Sequence, residues 1–456
     1  MSERRFRRRS LPVEPVELEI TSLSHEGRGV ARIDGKVAFV DGALPHELVS
    51  AKFVRRRGQF DELAAQEIKN PAPTRVTPRC QFASRCGGCS LQHMDSQSQI
   101  ALKQSVLLEQ LQHLAKLAPD NFQLLPNLQA ESFHYRRKAR LAVRLVARKG
   151  GALVGFREKY SSFITDMNDC KVLVPEVASL IQPLRDFISQ LQARYNIPQI
   201  EVAVGETRTA GVASNRVALV FRHLQALSPS DLSAFTEFAR HHDLQLYLQP
   251  RGIESVHKLH PDDGEDRLQY FLPEFDLTMN FHPMDFTQVN ADINRLIIHR
   301  ALNLLELKAN DVVLDLFCGL GNFTLPLATR CSQVIGVEGS VEMVKRGEEN
   351  ARLNKLSNTA FYAANLCESL SDKKWAAGQF SKILLDPPRS GAIEIMEQIA
   401  HFRARKIVYI SCNPATLARD SAVLIQQGYK LKSAGVMDMF PHTTHVESIA
   451  EFERLG

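Results

Sequence analysis

A cysteine in Ser411-Cys-Asn-Pro-Ala-Thr416 and a glutamate in His445-Val-Glu447 are the residues of this chain best suited to covalent chemistry. Cys412 follows a short apolar run, Ile407–Ile410, and precedes a predicted helix. A helix N-terminus favours a thiolate, so Cys412 reads as a nucleophile with a lowered pKa. Glu447 reads as a general base, and burial would raise its pKa into the range useful for proton transfer. Asp438, His442 and His445 lie close in sequence and read as architecture of the same site. A second set of thiols stands apart. Cys80-x5-Cys86-x2-Cys89, with Cys170 further along, offers four ligands for an iron–sulfur cluster or a structural zinc. Spacing alone leaves both open. Eight cysteines spread so unevenly do not read as a disulfide framework but as metal or catalytic chemistry in a reducing compartment.

The nucleophile needs a partner molecule. Val312-Val-Leu-Asp-Leu-Phe-Cys-Gly-Leu-Gly-Asn-Phe-Thr324 reads as a strand, a glycine loop and a helix start. Gly319 and Gly321 allow a sharp turn and a close backbone approach to a ligand. The third glycine of the dinucleotide fingerprint is missing. Glu338 ends the next strand, where a carboxylate can accept hydrogen bonds from ribose hydroxyls. Asn365 follows the third strand and Asp386 the fourth. This series resembles the class I S-adenosylmethionine methyltransferases. The resemblance implies Glu338 on the ribose, Asn365 near the adenine, and Phe317, Asn322 and Asp386 lining the pocket.

Three regions must position these groups. Residues 12–70 alternate apolar and polar positions in short runs separated by Asp34-Gly35 and Asp41-Gly42, the pattern of a small OB-like β-barrel. Residues 71–275 open with a proline-rich linker and mix helical and β-rich stretches, an α+β domain holding the cysteine cluster. Residues 276–456 alternate apolar strands with amphipathic helical stretches, a Rossmann-like doubly wound sheet with ligands at the strands' carboxyl ends. A basic arm, 1–11, precedes the barrel. The expected architecture is a multidomain α/β protein.

Taken together, Phe286-Thr-Gln288-Val-Asn290, Asp315-Leu-Phe-Cys-Gly319, Asp386-Pro-Pro-Arg389, Ser411-Cys-Asn-Pro414 and His445-Val-Glu447 closely resemble the signatures of the RNA uracil-5 methyltransferases. That family's reaction explains the residue types. Uracil C5 is a poor nucleophile, and a thiolate adding to C6 puts electron density there. C5 can then take a methyl group from a sulfonium, and a base removes the C5 proton as the thiolate leaves. The resemblance implies S-adenosyl-L-methionine as cofactor, Gln288 as a further cofactor contact, Cys412 as nucleophile and Glu447 as base. It also tips the four cysteines towards a [4Fe-4S] cluster of structural purpose. The barrel resembles a TRAM domain. Barrel and cysteine cluster together look like the 23S ribosomal RNA branch of the family, with a flipped uridine as target.

Charge fits that partner. The net charge is only +5, but five arginines lie between Arg4 and Arg9, Arg55–Arg57 form a second cluster, and 132–157 holds eight Lys or Arg with no acidic residue. Such clusters neutralise phosphates. His134-Tyr-Arg-Arg-Lys-Ala-Arg140 resembles the family's RNA-facing strand. No apolar run approaches the ~18 residues of a membrane span. A cytoplasmic monomer without obligate protein partner is expected. Other readings are the same chemistry on another ribosomal or transfer RNA uridine, an amino-group methyltransferase built on Asp386-Pro-Pro, and a non-catalytic RNA-binding or assembly factor.

Overall fold

The computed structural model describes residues 11–209, 212–370 and 373–455. The arginines between Arg4 and Arg9 lie outside the described residues. The chain divides into two compact units. One comprises Met1–Leu102, Arg157–Phe163 and His442–Thr444; the other comprises Lys103–Phe156, Ile164–Pro441 and His445–Gly456.

In the first unit six strands form one sheet, ordered Val16–Glu19, Leu48–Arg56, Phe60–Asn70, Lys36–Asp41, Gly29–Ile33 and Ser22–Leu23. Inward positions are small or aliphatic: Leu18, Ala31, Ala38, Val40, Val49, Ala51 and Leu63 share one buried cluster. A cluster fed from nearly every strand of one sheet means that the sheet wraps round its own core, as a barrel does. Asp34-Gly35 joins two strands in register at Ile33 and Lys36, and both turn residues have positive φ, 50° and 83°. That is the two-residue turn whose twist matches the flanking strands.

The second unit holds two large sheets. One is mixed, ordered His257–His260, Gln245–Gln249, Val212–Arg222, Gln199–Thr209, Lys138–Val146 and Gly151–Gly155. The other carries the Rossmann-like part. We number its strands β1 (Val312–Leu316), β2 (Gln333–Glu338), β3 (Thr359–Ala363), β4 (Lys382–Leu385), β5 (Lys406–Ser411), β6 (Tyr429–Met437) and β7 (Glu447–Arg454). Their order is β3-β2-β1-β4-β5-β7-β6, with Gln123–Leu124 at the edge beyond β6. The first five run parallel, and β7 is antiparallel to both its neighbours. β4 and β5 are buried at every position, which is why they read as largely apolar runs, whereas β3 at the edge has no buried residue. Order reverses between β1 and β4, so a crevice opens at their carboxyl ends. One core joins both sheets through the helix Ala291–Leu305, from Ala218 and Tyr247 to Val313, Leu384 and Ile449.

Candidate active site

The crevice is shaped by the turn after β1. Phe317 (φ 62°), Gly319 (55°) and Gly321 (95°) all adopt the left-handed conformation. For Phe317 this is strained, and such strain collects where backbone is held for a ligand. A Cβ on Gly319 would point into open space, whereas one on Gly321 would strike Leu325 at 2.6 Å. The first glycine keeps a surface clear; the second permits helix packing. Glu338 ties two strand ends together, accepting hydrogen bonds from the Gly319 and Ser340 amides, both at 3.1 Å. Each carboxylate oxygen retains acceptor capacity for a hydroxyl. Asn365 is exposed just beyond β3, its side chain bonded to Glu368 and to the Cys367 amide. The Asp386 amide donates to Leu316 O at 3.3 Å, joining β4's end to β1's.

Three carboxyls crowd this region. Burial pushes Asp386 up to about 7. Asp315 is pushed up to about 8, by burial first and then by Asp386 and Glu338, against the Thr324 hydroxyl. One oxygen of Asp315 accepts from Thr324 at 2.5 Å, and the other is buried without a partner. Mutually repelling carboxyls, an orphaned acceptor and a bare glycine surface fit a ligand that brings donors and positive charge. Gln288 lines a pocket with Arg137, Tyr270, Phe281, Asn294 and Arg295. Asn322 is spoken for: it exchanges amide hydrogen bonds with Asn294 at 2.9 and 3.0 Å and accepts from the Tyr270 hydroxyl at 2.9 Å.

Cys412 lies just past β5. Asn413, after it, caps the helix Pro414–Gln426 with its Oδ1 accepting from the Ala415 backbone amide, and its side-chain Nδ2 donates to Arg389 O at 3.1 Å. The Cys412 turn is thereby fastened to the Asp386–Arg389 turn. Ser411 pairs with Ser448 across β5 and β7, so Cys412 and Glu447 are neighbours at adjacent strand ends. His445 Nδ1 meets Arg389 Nη2 at 3.2 Å.

The thiol departs from the sequence expectation. It is pushed up to about 11, by burial first and then by Glu447 and Asp386, against Arg389 and a backbone hydrogen bond. Cys412 precedes the cap, and burial, joined by two carboxyls, disfavours its thiolate. Glu447 behaves as expected: burial, helped by Asp386 and opposed by Arg389 and Lys103, pushes it up to about 8. Cys412, Glu447 and Asp386 act on one another's protonation, so they titrate as a set.

Two features gave no sequence signal. Lys103, within the helix Ser96–Leu114, is 1% exposed and ion-paired to Asp438 at 2.6 Å. The Asn294–Tyr270 partnership of Asn322 joins residues far apart in the chain. Asp438 and His442 act as architecture: His442 is gripped by Gln99 through its ring (3.2 Å) and its amide (2.8 Å).

Cys80, Cys86 and Cys89 lie on a stretch without helix or strand. Cys86 and Cys170 are buried. Among the described residues, no group of three or more His, Cys, Asp or Glu is arranged to hold a metal ion. The basic clusters are partly neutralised. Arg55 and Arg56 face Glu62 and Asp61 at 3.6 and 3.5 Å, Arg137 faces Glu206 at 3.0 Å, and Arg140 faces Glu201 at 2.5 Å. Among the described residues, no helix is long and apolar enough to cross a membrane.

Comparison with known proteins adds an independent line. Residues 217–454 match the tRNA (Uracil-5-)-methyltransferase family, and residues 9–59 match the TRAM domain. The chain is 51% identical over 452 residues to the 23S rRNA (uracil(1939)-C(5))-methyltransferase RlmD of Hahella chejuensis, covering 98% of this chain and 99% of that one. The protein of the same name from Alcanivorax borkumensis is 50% identical, with 98% and 99% covered. Among solved structures, the Pyrococcus abyssi tRNA (uracil-54, C5)-methyltransferase in complex with S-adenosyl-L-homocysteine matches with a TM-score of 0.72 at 22% identity. That match covers 96% of this chain and all of the other, and it shows a shared fold.

Proposed function

The chain belongs to the tRNA (uracil-5-)-methyltransferase family, and from that premise we propose that it methylates C5 of a uridine in 23S ribosomal RNA through a covalent bond between Cys412 and C6. The observation that carries this reading is the β5–β7 register, which makes Cys412 and Glu447 neighbours beside the Asp386–Arg389 turn. The choice of 23S RNA rests on the names of relatives that match nearly end to end.

S-adenosyl-L-methionine supplies an activated methyl group on a sulfonium. Glu338 would hold its ribose, Asn365 its adenine, and Phe317, Gln288, Asn322 and Asp386 would line the rest. Asn322 and Gln288 share Asn294 as a neighbour, so they would act as one wall. The Cys412 proton passes to the Asp386 carboxylate, and the sulfur adds to C6. The C5–C6 electron pair moves onto C5 and O4 as an enolate. C5 then takes the methyl group in line, and the neutral thioether departs. Glu447, as carboxylate, removes the C5 proton; that electron pair restores the double bond and expels Cys412 as thiolate. Burial and then the Glu447 and Asp386 carboxyls hold the thiol up, so a bound cationic cofactor would favour the thiolate.

In the same reading Cys80, Cys86, Cys89 and Cys170 hold a [4Fe-4S] cluster. Four thiolates suit iron–sulfur chemistry. The cluster takes no part in a redox-neutral methyl transfer; it fixes the RNA-binding fold, and metal and local folding arrive together. The protein acts as a cytoplasmic monomer, with the barrel 12–70 and the central domain 71–275 gripping RNA while 276–456 does the chemistry.

The test is incubation with S-adenosyl-L-methionine and 5-fluorouridine-substituted 23S RNA. Fluorine blocks the final elimination, so a denaturation-resistant RNA adduct should form and map to Cys412. An adduct elsewhere, or full turnover by the Cys412→Ser variant, would overturn the mechanism.

A further inference from the structure

Lys103 is a buried cation that the reaction as written does not use. A lysine ammonium taken almost wholly out of water is costly unless it is paired and hydrogen-bonded. Here it is both: Nζ donates to Asp438 Oδ1 at 2.6 Å and to Phe440 O at 3.0 Å. Asp438 and Phe440 follow β6 directly, in the connection that delivers Glu447 at the start of β7. We propose that Lys103 is a positioning residue for the Glu447 base, its ammonium clamping the β6–β7 connection and holding a fixed positive charge towards the carboxyl.

The inference rests on the role given to Glu447 above. Burial lowers the proton affinity of Lys103, Asp438 and then Glu447 act to restore it, and Lys103 in turn lowers that of Glu447. Other groups also face the carboxyl: Asp386 and Arg389 after β4, and Cys412 after β5. His445, on the same segment, feels Arg389, Lys103 and Arg136. Asp386 raises the proton affinity of Glu447, and Arg389 is an exposed cation. Lys103 is therefore the buried cation that keeps the base from being too weakly acidic to release its proton near neutrality. An Asp438 partner makes the charge affordable without quenching it at Glu447.

The test follows product release from 23S RNA against pH in wild type, Lys103→Met, Lys103→Arg and the double variant Lys103→Met with Asp438→Asn. The double variant leaves no unpaired buried charge, so it remains informative if Lys103→Met does not fold. Removing the cation should move the rising limb to higher pH by about one unit, the ordinary effect of one nearby charge. Lys103→Arg should keep the limb near its wild-type position even if its rate is lower. Both neutral variants should still form the 5-fluorouridine adduct, because addition does not need the base. A limb unmoved in the double variant, or moved equally by Lys103→Arg, overturns the proposal. Failure of the underlying reading looks different: Glu447→Gln would then release product at the wild-type rate.

Discussion

Cys412 and Glu447 stand beside strands whose register is fixed from Lys406–Glu453 to Ser411–Ser448. Cys80, Cys86 and Cys89 stand on a stretch with neither helix nor strand from Pro71 to Asp95. In the first region the backbone positions the chemistry before any ligand arrives. Paired strands fix which side chains are neighbours, and Asn413 and Arg389 tie the turns together. In the second region turns and single bridges take the place of paired strands: Cys86 bridges Glu158, its amide donates to Phe82 O at 2.7 Å, and the Cys80 amide donates to Gln92 at 3.2 Å. The lesson is that a continuous strand register fixes the candidate catalytic pair, whereas isolated bridges and turns hold the candidate cluster ligands.

Five experiments bear on that contrast. Cys412→Ala should cost the most, a loss of methyl transfer of about 10⁴-fold or more, with an unchanged melting temperature because the strands carry the structure. Retained activity would break the contrast at its stronger end. Glu447→Gln should slow release by about 10²–10⁴-fold, and methylated RNA should stay attached to protein on a denaturing gel. The pH profile should sharpen the picture. The base works deprotonated and its carboxyl is pushed up to about 8, so single-turnover release should rise roughly tenfold per pH unit below that value and level above it. Cys86→Ser should abolish bound iron and acid-labile sulfide, and lower the melting temperature by several degrees. Hydrogen exchange should then quicken across 79–95 while β5 and β7 keep their protection; equal loosening of both regions would erase the distinction. Smallest of all, Arg56→Ala removes a half-exposed cation from buried Asp61, which keeps Lys36 at 2.7 Å, and should change unfolding free energy by less than about 1 kcal/mol.

The same contrast governs what could be read from the sequence. Strand-end residues were legible because β1, β4 and β5 are apolar runs that stop at glycine, proline or asparagine, and doubly buried parallel strands leave that imprint. The Asp34-Gly35 hairpin was legible for a similar local reason. Lys103 was not, because a lysine within a helix reads as solvent-facing until the partner carboxylate is known, and Asp438 lies 335 positions away. The amide exchange between Asn294 and Asn322 was hidden in the same way. The raised thiol of Cys412 was not legible, because a helix start is visible in sequence whereas burial and the crowding of Glu447 and Asp386 exist only in three dimensions.

The strand that begins with Glu447 does not lie at the border of its sheet; it is wedged between β5 and β6. Trimming it away would strip the molecule of more than its base. Two long neighbours would each be left with a bare row of amide and carbonyl groups, the template on which chains stick to one another. Loss of turnover and loss of solubility should therefore arrive together, and a folded, RNA-gripping but inert fragment is not to be had by shortening the chain at that strand.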